Sequence, residues 1–102
     1  MAQLLVLYKT PADPAAFDKY YAETHVPIAK RIGGLRKYEI SRGAVASPAG
    51  ASGIHLVATL TFDSMDAIQA AFASPEGQAA AADVGKFATG GVDMIMFDTR
   101  EI

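Results

Sequence analysis

The segment from Gln3 to Lys9, QLLVLYK, is a short apolar run that predicts a strand in the middle of a sheet. Successive side chains of a strand point to opposite faces, and here both faces are apolar. One face carries Leu4, Val6 and Tyr8, and the other carries Leu5 and Leu7. The sheet around this strand must therefore be covered on both sides.

Three further segments predict strands: Leu35 to Arg42, Ile54 to Phe62 and Val92 to Thr99. The first is the most polar of them and is typical of an outer strand. In the second, Ile54, Leu56, Ala58, Leu60 and Phe62 alternate with His55, Val57, Thr59 and Thr61. In the third, Val92, Met94 and Met96 alternate with Ile95 and Phe97, so this strand is also apolar on both faces.

Two helical regions lie between these strands. Asp13 and Pro14 are typical of an N-cap and a first helical position, so the first helix begins there. Pro27 disfavours the α conformation at the residue before it, so we expect this helix to end or kink at His25. A further turn is predicted over Ile28 to Ile32.

The second region contains two helices in succession, each opened by a serine cap. Ser64 caps a helix through Phe72. Ser74, followed by Pro75 in the first turn, caps another helix that continues to about Phe87.

Glycines separate these elements. The pairs Gly33-Gly34 and Gly90-Gly91 end the two helical regions. The segment from Gly43 to Gly53, GAVASPAGASG, consists of small residues and predicts a mobile loop. We hypothesise that this loop closes over a ligand pocket.

The resulting order βαββαβ predicts one α+β domain over residues 1–102. This is the ferredoxin-like arrangement, a four-stranded antiparallel sheet with both helices on one face. Each apolar side chain left exposed on the other face forfeits about 1.5–3 kcal/mol. We therefore expect a homodimer packed sheet face to sheet face, with a small-molecule cavity between the sheets, lined by aromatic and methionine side chains.

Composition argues against several classes of function. The 102 residues carry a net charge of −2 with no basic run, so nucleic acids and anionic membranes are poor partners. No apolar stretch approaches the length of a membrane span, and the N-terminus lacks signal-peptide features, so we expect a cytoplasmic protein. There is no cysteine, the two histidines are far apart, and no nucleotide-binding motif is present, so we expect no metal and no cofactor.

His25 is the candidate catalytic residue. Phe17, Tyr21 and His25 are spaced i, i+4, i+8 and share one inward helix face, with Tyr20, Thr24 and Ile28 beside them. The helix dipole favours the charged imidazole and burial favours the neutral one, a balance that suits a general acid or base near neutral pH. Two interpretations stay open: an acid/base or ligand-orienting group in a pocket, and a core histidine that caps helix carbonyls.

Eight other side chains are candidates for ligand contact: Tyr8, Phe17, Tyr20, Tyr21, Ile28, Tyr38, Met94 and Met96. Each is also a typical core residue, and a tyrosine hydroxyl bonds a ligand only where it reaches the cavity. His55 lies on the more polar strand face and is expected to be structural or exposed.

The segment from Tyr20 to Tyr38, YYAETHVPIAKRIGGLRKY, resembles the signature of the EthD family, named for ethyl tert-butyl ether degradation. Its most specific part is His25-Val26-Pro27 followed by Gly34-Leu35, with Gly33 where the family usually has proline. Two further elements are similar to the family pattern, Phe62-Asp63-Ser64 and Ser74-Pro75-Glu76-Gly77. The resemblance therefore covers nearly the whole chain.

The resemblance implies a dimeric α+β barrel, a superfamily with cofactor-free monooxygenases, muconolactone isomerase, polyketide cyclases and haem-modifying enzymes. It implies an enzyme or enzyme accessory of a degradation or secondary-metabolic pathway. The substrate would be apolar, aromatic or polyketide-like, with His25 as acid/base or ligand-orienting group. Shared fold does not choose among these activities. The alternatives are a non-catalytic ligand-binding or stress-related homodimer and a partner of a cytochrome P450-type oxidoreductase system.

Overall fold

The computed structural model describes all 102 residues and confirms the predicted fold, a four-stranded antiparallel sheet with helices on one face. The strands are β1 (Ala2–Lys9), β2 (Lys37–Ile40), β3 (Ala46–Ser47), β4 (Gly50–Ala51), β5 (Ile54–Phe62) and β6 (Val92–Asp98). The helical segments are α1 (Pro14–Tyr20), a π-helical turn (Tyr21–His25), α2 (Val26–Ala29), α3 (Met65–Ala73) and α4 (Pro75–Val84). The main sheet has the order β2-β5-β1-β6, so the apolar β1 is an inner strand, as predicted.

The core lies between the sheet and the helices. On β1 the buried side chains are Ala2, Leu4, Val6 and Tyr8, and on β5 they are Leu56, Ala58, Leu60 and Phe62. The helices begin where the sequence predicted. Asp13, Ser64 and Ser74 each accept a hydrogen bond from the backbone N–H three residues further on.

The opposite face of the sheet carries no helix. Leu5 and Leu7 are half-buried there, while Ile95 and Phe97 on the edge strand β6 are 51% and 38% exposed. An apolar face of this kind is typical of an interaction surface. None of the helices has both the length and the apolar character needed to cross a bilayer.

The first helical region does not end at His25, but its α-helical hydrogen bonding is interrupted by a π-helical turn that closes at this residue. Val26 keeps α-helical dihedral angles, φ −55° and ψ −47°, and the chain continues into α2. The helix accommodates Pro27 by widening the turn before it. The Val26 N–H donates to the Tyr21 carbonyl, five residues earlier, in a π-helical turn. A wider turn relieves the clash between a proline ring and the carbonyl four residues before it.

The segment from Gly43 to Gly53 is more regular than the predicted loop, because it contains the β3–β4 hairpin. Its serines supply local hydrogen bonds: Ser52 Oγ donates to the Val45 carbonyl at 2.6 Å, and Ser47 Oγ donates to the Gly50 carbonyl at 3.1 Å. Such side-chain bonds cannot be read from the small-residue composition alone.

His55 does not lie on the polar sheet face, contrary to the strict alternation predicted for β5. Tyr8 pairs with Leu56 but Lys9 pairs with Ile54, so β5 carries one extra residue, a bulge at His55. The bulge turns His55 to the helix side, where its ring makes a T-shaped contact with Phe17 at 5.0 Å between centroids.

Candidate functional site

An aromatic cavity lies inside one chain, on the opposite side of its sheet from the cavity predicted between two sheets. An inner cavity of about 70 Å³ lies between the sheet and the helices. Five of the predicted site residues line it, namely Tyr8, Tyr21, His25, Tyr38 and Met94. The strand residues among them share the sheet face of Leu4 and Val6, which the helices cover, so they lie on the helix side of the sheet.

His25 closes the π-helical turn and is 4% exposed. Its Nδ1 lies 2.9 Å from Oδ2 of Asp83, an equally buried residue on α4. The Tyr20 hydroxyl donates to Oδ1 of the same carboxylate at 2.7 Å. The imidazole is therefore held by a carboxylate and does not cap helix carbonyls.

The environment of Asp83 fixes the tautomer of His25. Burial raises the pKa of the Asp83 carboxyl group, but hydrogen bonds from Tyr20 and His25 outweigh burial and the net pKa is lowered. An ionised carboxylate only accepts hydrogen bonds, so Nδ1 of His25 carries the proton in this pair. The neutral ring then presents Nε2 as a proton acceptor, which is the tautomer that a general base needs.

Two polar atoms at the inner cavity have no partner in the chain. His25 Nε2 and the Tyr8 hydroxyl make no hydrogen bond, although Tyr8 is only 1% exposed. Neither atom is sealed off, since no fully buried side-chain nitrogen or oxygen lacks a partner. The inner cavity is the space that both side chains line, so a water or a ligand can meet them there.

The other two cavity tyrosines bond each other, with their hydroxyl oxygens 2.6 Å apart in Tyr21 and Tyr38. Burial raises the pKa of Tyr8, Tyr21 and Tyr38, so all three hydroxyls stay protonated at neutral pH. Tyr8 is therefore available as a hydrogen-bond donor to a negatively charged oxygen in the cavity.

Four predicted contact residues do not line the inner cavity. Phe17 stacks on Tyr21 in the core, with centroids 5.8 Å apart, and Ile28 packs against the same core. Met96 is exposed on β6, and Tyr20 reaches the site only through Asp83. Helical spacing identifies the inward face of the first helix but not which of its side chains border the cavity.

Sequence reasoning missed Asp83. Its signal was an acidic residue in the buried stripe of α4, flanked by Ala80 and Val84, which are both buried. A buried carboxylate needs a hydrogen-bonding partner, and a histidine on an inward stripe elsewhere in the chain is a natural one. No group of three or more His, Asp or Glu side chains is placed to hold a metal ion.

A larger groove of about 690 Å³ opens beside the inner cavity, under the β3–β4 hairpin. His55 lies on its wall, with Nε2 2.7 Å from Oδ1 of Asp18 on α1. The bulge in β5 is what brings this second histidine to the helix side of the sheet.

Residues 9–91 match the family model of the EthD domain. This chain belongs to the EthD family. An uncharacterized 11.0 kDa protein of the thcB–thcC intergenic region of Rhodococcus erythropolis is 39% identical over 104 residues, covering 100% of this chain and 98% of that protein. The crystal structure of an EthD family protein from Bacillus halodurans is 34% identical with a TM-score of 0.89, covering 98% of this chain and 99% of that one.

More distant structures share the fold alone. SnoaB from Streptomyces nogalater, a cofactor-independent oxygenase, is 18% identical with a TM-score of 0.69, covering 99% of this EthD chain and 94% of its own. A dimeric ferredoxin-like protein of unknown function from Thermobifida fusca is 15% identical with a TM-score of 0.69, covering 96% of this chain and 90% of its own.

Proposed function

We propose that this EthD protein is a small-molecule enzyme whose general base is His25. Its substrate is an apolar, aromatic or polyketide-like compound that carries a hydroxyl or carbonyl group. The observation that supports this is the presence of two unpartnered polar atoms, His25 Nε2 and the Tyr8 hydroxyl, at one apolar cavity. Both atoms reach the cavity surface, and an apolar cavity with a few convergent polar groups is the usual form of a small-molecule site.

In the proposed step, Nε2 of neutral His25 takes a proton from a substrate hydroxyl or from the carbon next to a carbonyl. The electron pair of the broken bond stays on the substrate as a phenolate or an enolate. Asp83, 2.9 Å from Nδ1, stabilises the imidazolium that forms. The Tyr8 hydroxyl donates a hydrogen bond to the negative oxygen.

Asp83 acts in this scheme as a positioning residue, because it reaches the substrate only through His25. The proton transfer is common to the oxygenase and the cyclase or isomerase chemistries that the family resemblance implies. The fold shared with the cofactor-independent oxygenase SnoaB supports a small-molecule role without selecting one of these reactions.

Ligand binding without catalysis is the second candidate function. It is favoured by the near-complete burial of the His25–Asp83 pair, which is also typical of a structural pair. In that case His25→Gln lowers the melting temperature but leaves ligand affinity unchanged. In the enzyme it lowers turnover beyond what the loss of folded protein explains.

Solvent exchange tests the proposed base directly. The aromatic ketone 1-tetralone, incubated with the protein in D2O, is expected to take up deuterium at the carbon next to its carbonyl faster than without protein. His25→Gln is expected to lower the catalysed rate by about 10²–10⁴-fold, the usual contribution of a general base. Glu23→Gln, an exposed change in the same π-helical turn, is the control. Equal exchange by wild type and a folded His25→Gln variant contradicts the proposal.

A further inference from the structure

The groove under the β3–β4 hairpin and the inner cavity follow each other along the same layer of the molecule. On the first helical region, Val26 lines the groove and His25 lines the cavity. On β2 the corresponding residues are Ile40 and Tyr38, and on β5 they are Leu56 and Ala58. The two spaces therefore lie end to end between one sheet face and one helical region.

Tyr21 forms the wall between them, since its side chain lines both spaces. Its hydroxyl is hydrogen-bonded to that of Tyr38 on the facing strand β2, at 2.6 Å. This single bond joins the helical side of the wall to the sheet side. Parting this pair breaks that hydrogen bond and requires rotation of one side chain, and Tyr38 is the less buried of the two.

The sizes of the two spaces are complementary. The inner cavity, about 70 Å³, has room for about two water molecules, and so for one functional group rather than a whole aromatic compound. The groove, about 690 Å³, is within the range of roughly 300–1,000 Å³ found for small-molecule sites. A substrate that places its oxygen on His25 must place the rest of its structure elsewhere, and the groove is the adjoining space.

The groove also has the right chemistry for the body of such a compound. Its walls include the apolar side chains of Val26, Ile40 and Val45. Asp18 and His55 form a polar side of the groove. His55 Nε2 is hydrogen-bonded to Asp18, and the other ring nitrogen has no hydrogen bond. β-Bulges are frequent beside active sites because they re-aim a side chain, as the bulge at His55 does here.

We propose that the groove binds the apolar body of the substrate while its hydroxyl or carbonyl end enters the inner cavity past the Tyr21–Tyr38 pair. The inference rests on the proposed function and names its substrate class: elongated aromatic compounds of at least two rings with an oxygen at one end. Compounds of one ring place their oxygen in the inner cavity but fill only the part of the groove next to the Tyr21–Tyr38 pair, so they bind weakly.

Phenol and 4-phenylphenol test this arrangement, because they differ only by the ring assigned to the groove. Wild-type protein is expected to bind 4-phenylphenol about ten-fold or more tightly than phenol, as measured by calorimetry and histidine NMR. Ala22→Phe and Ala51→Phe fill the groove from its helix and hairpin sides at exposed positions. Each is expected to reduce 4-phenylphenol affinity to that of phenol. Ala15→Phe, an exposed change on α1 outside the groove, is the matched control.

The outcomes separate the two proposals. Groove-filling variants that fold and still prefer 4-phenylphenol overturn the groove assignment, as do equal affinities of the two probes for wild type. If phenol binds without moving the His25 resonances, the proposed function fails even where Ala22→Phe weakens 4-phenylphenol. In that case the groove is a separate site, and the continuity with the inner cavity is overturned as well.

Discussion

At the scale of single residues, Asp83 connects stability to function. Its carboxylate is buried and accepts hydrogen bonds from both Tyr20 and His25. Asp83→Asn is expected to lower the free energy of unfolding by about 1.5–3 kcal/mol, the range for hydrogen bonds to a charged group. Asp63→Asn, which breaks an exposed ion pair with Arg36, is expected to cost clearly less, because solvent screens that pair. Urea denaturation of the two variants compares them, and equal losses contradict the account.

The same carboxylate sets a pH dependence. The pKa of Asp83 is lower in the folded state than in the unfolded chain, so its contribution to stability is fully present above the unfolded value. That contribution is lost as the pH falls below about 4 and through the folded pKa. Wild type is therefore expected to lose more stability than Asp83→Asn between about pH 5 and 3. Equal losses in the free energy of unfolding of the two proteins over this pH range contradict the prediction.

Removal of the Tyr8 hydroxyl and removal of the Tyr21 hydroxyl are expected to affect stability differently. Tyr8→Phe removes a hydroxyl without a partner, so the free energy of unfolding changes by less than about 0.5 kcal/mol. Tyr21→Phe leaves the Tyr38 hydroxyl unpaired and costs about 0.5–1.5 kcal/mol. For phenol affinity we expect the opposite order, because Tyr8 is the residue proposed to contact the ligand oxygen. A Tyr8→Phe variant that is strongly destabilised shows that this hydroxyl has a structural partner.

At the scale of elements, α4 packs on the first helical region, which brings Asp83 to His25, and the start of α4 lies close against the end of α3. A Cβ atom at Gly77 would collide with the Ala71 carbonyl, whereas one at Gly85 would lie 3.8 Å from the Ala82 carbonyl, an ordinary contact. Gly77→Ala is expected to cost about 1–3 kcal/mol, and Gly85→Ala is expected to be neutral or slightly stabilising. Thermal unfolding of the two variants measures these effects. A Gly77→Ala protein with the melting temperature of wild type contradicts this view of the helix contact.

The elements also show what the sequence could and could not predict. Strand alternation and serine caps are local signals, and they located β5, α3 and the start of α4 correctly. The bulge at His55 and the π-helical turn before Pro27 each depend on one extra residue in a hydrogen-bond pattern, which periodicity does not reveal. The His25–Asp83 contact joins residues 58 positions apart, so it emerges only when α4 packs on the first helical region.

At the scale of the whole molecule, the helix-free sheet face supports the homodimer that we propose from the sequence. Ile95 on that face is 51% exposed and Met96, on the helix side of the same strand, is 44% exposed. Ile95→Lys is expected to give monomers at micromolar concentration, because a buried lysine must be desolvated. Met96→Lys is the matched control and is expected to stay dimeric. Light scattering measures both, and a monomeric wild-type protein contradicts the dimer.

The most direct test of the central claim is an NMR titration of the two imidazoles with phenol between about pH 5 and 8, where histidine ordinarily titrates. The account predicts that phenol moves the Nε2 signal of His25 saturably, that the signals of His55 stay in place, and that Tyr8→Phe weakens the response. A His25 ring that ignores phenol throughout this range, while the protein remains folded, contradicts the claim and leaves the histidine with a structural role only.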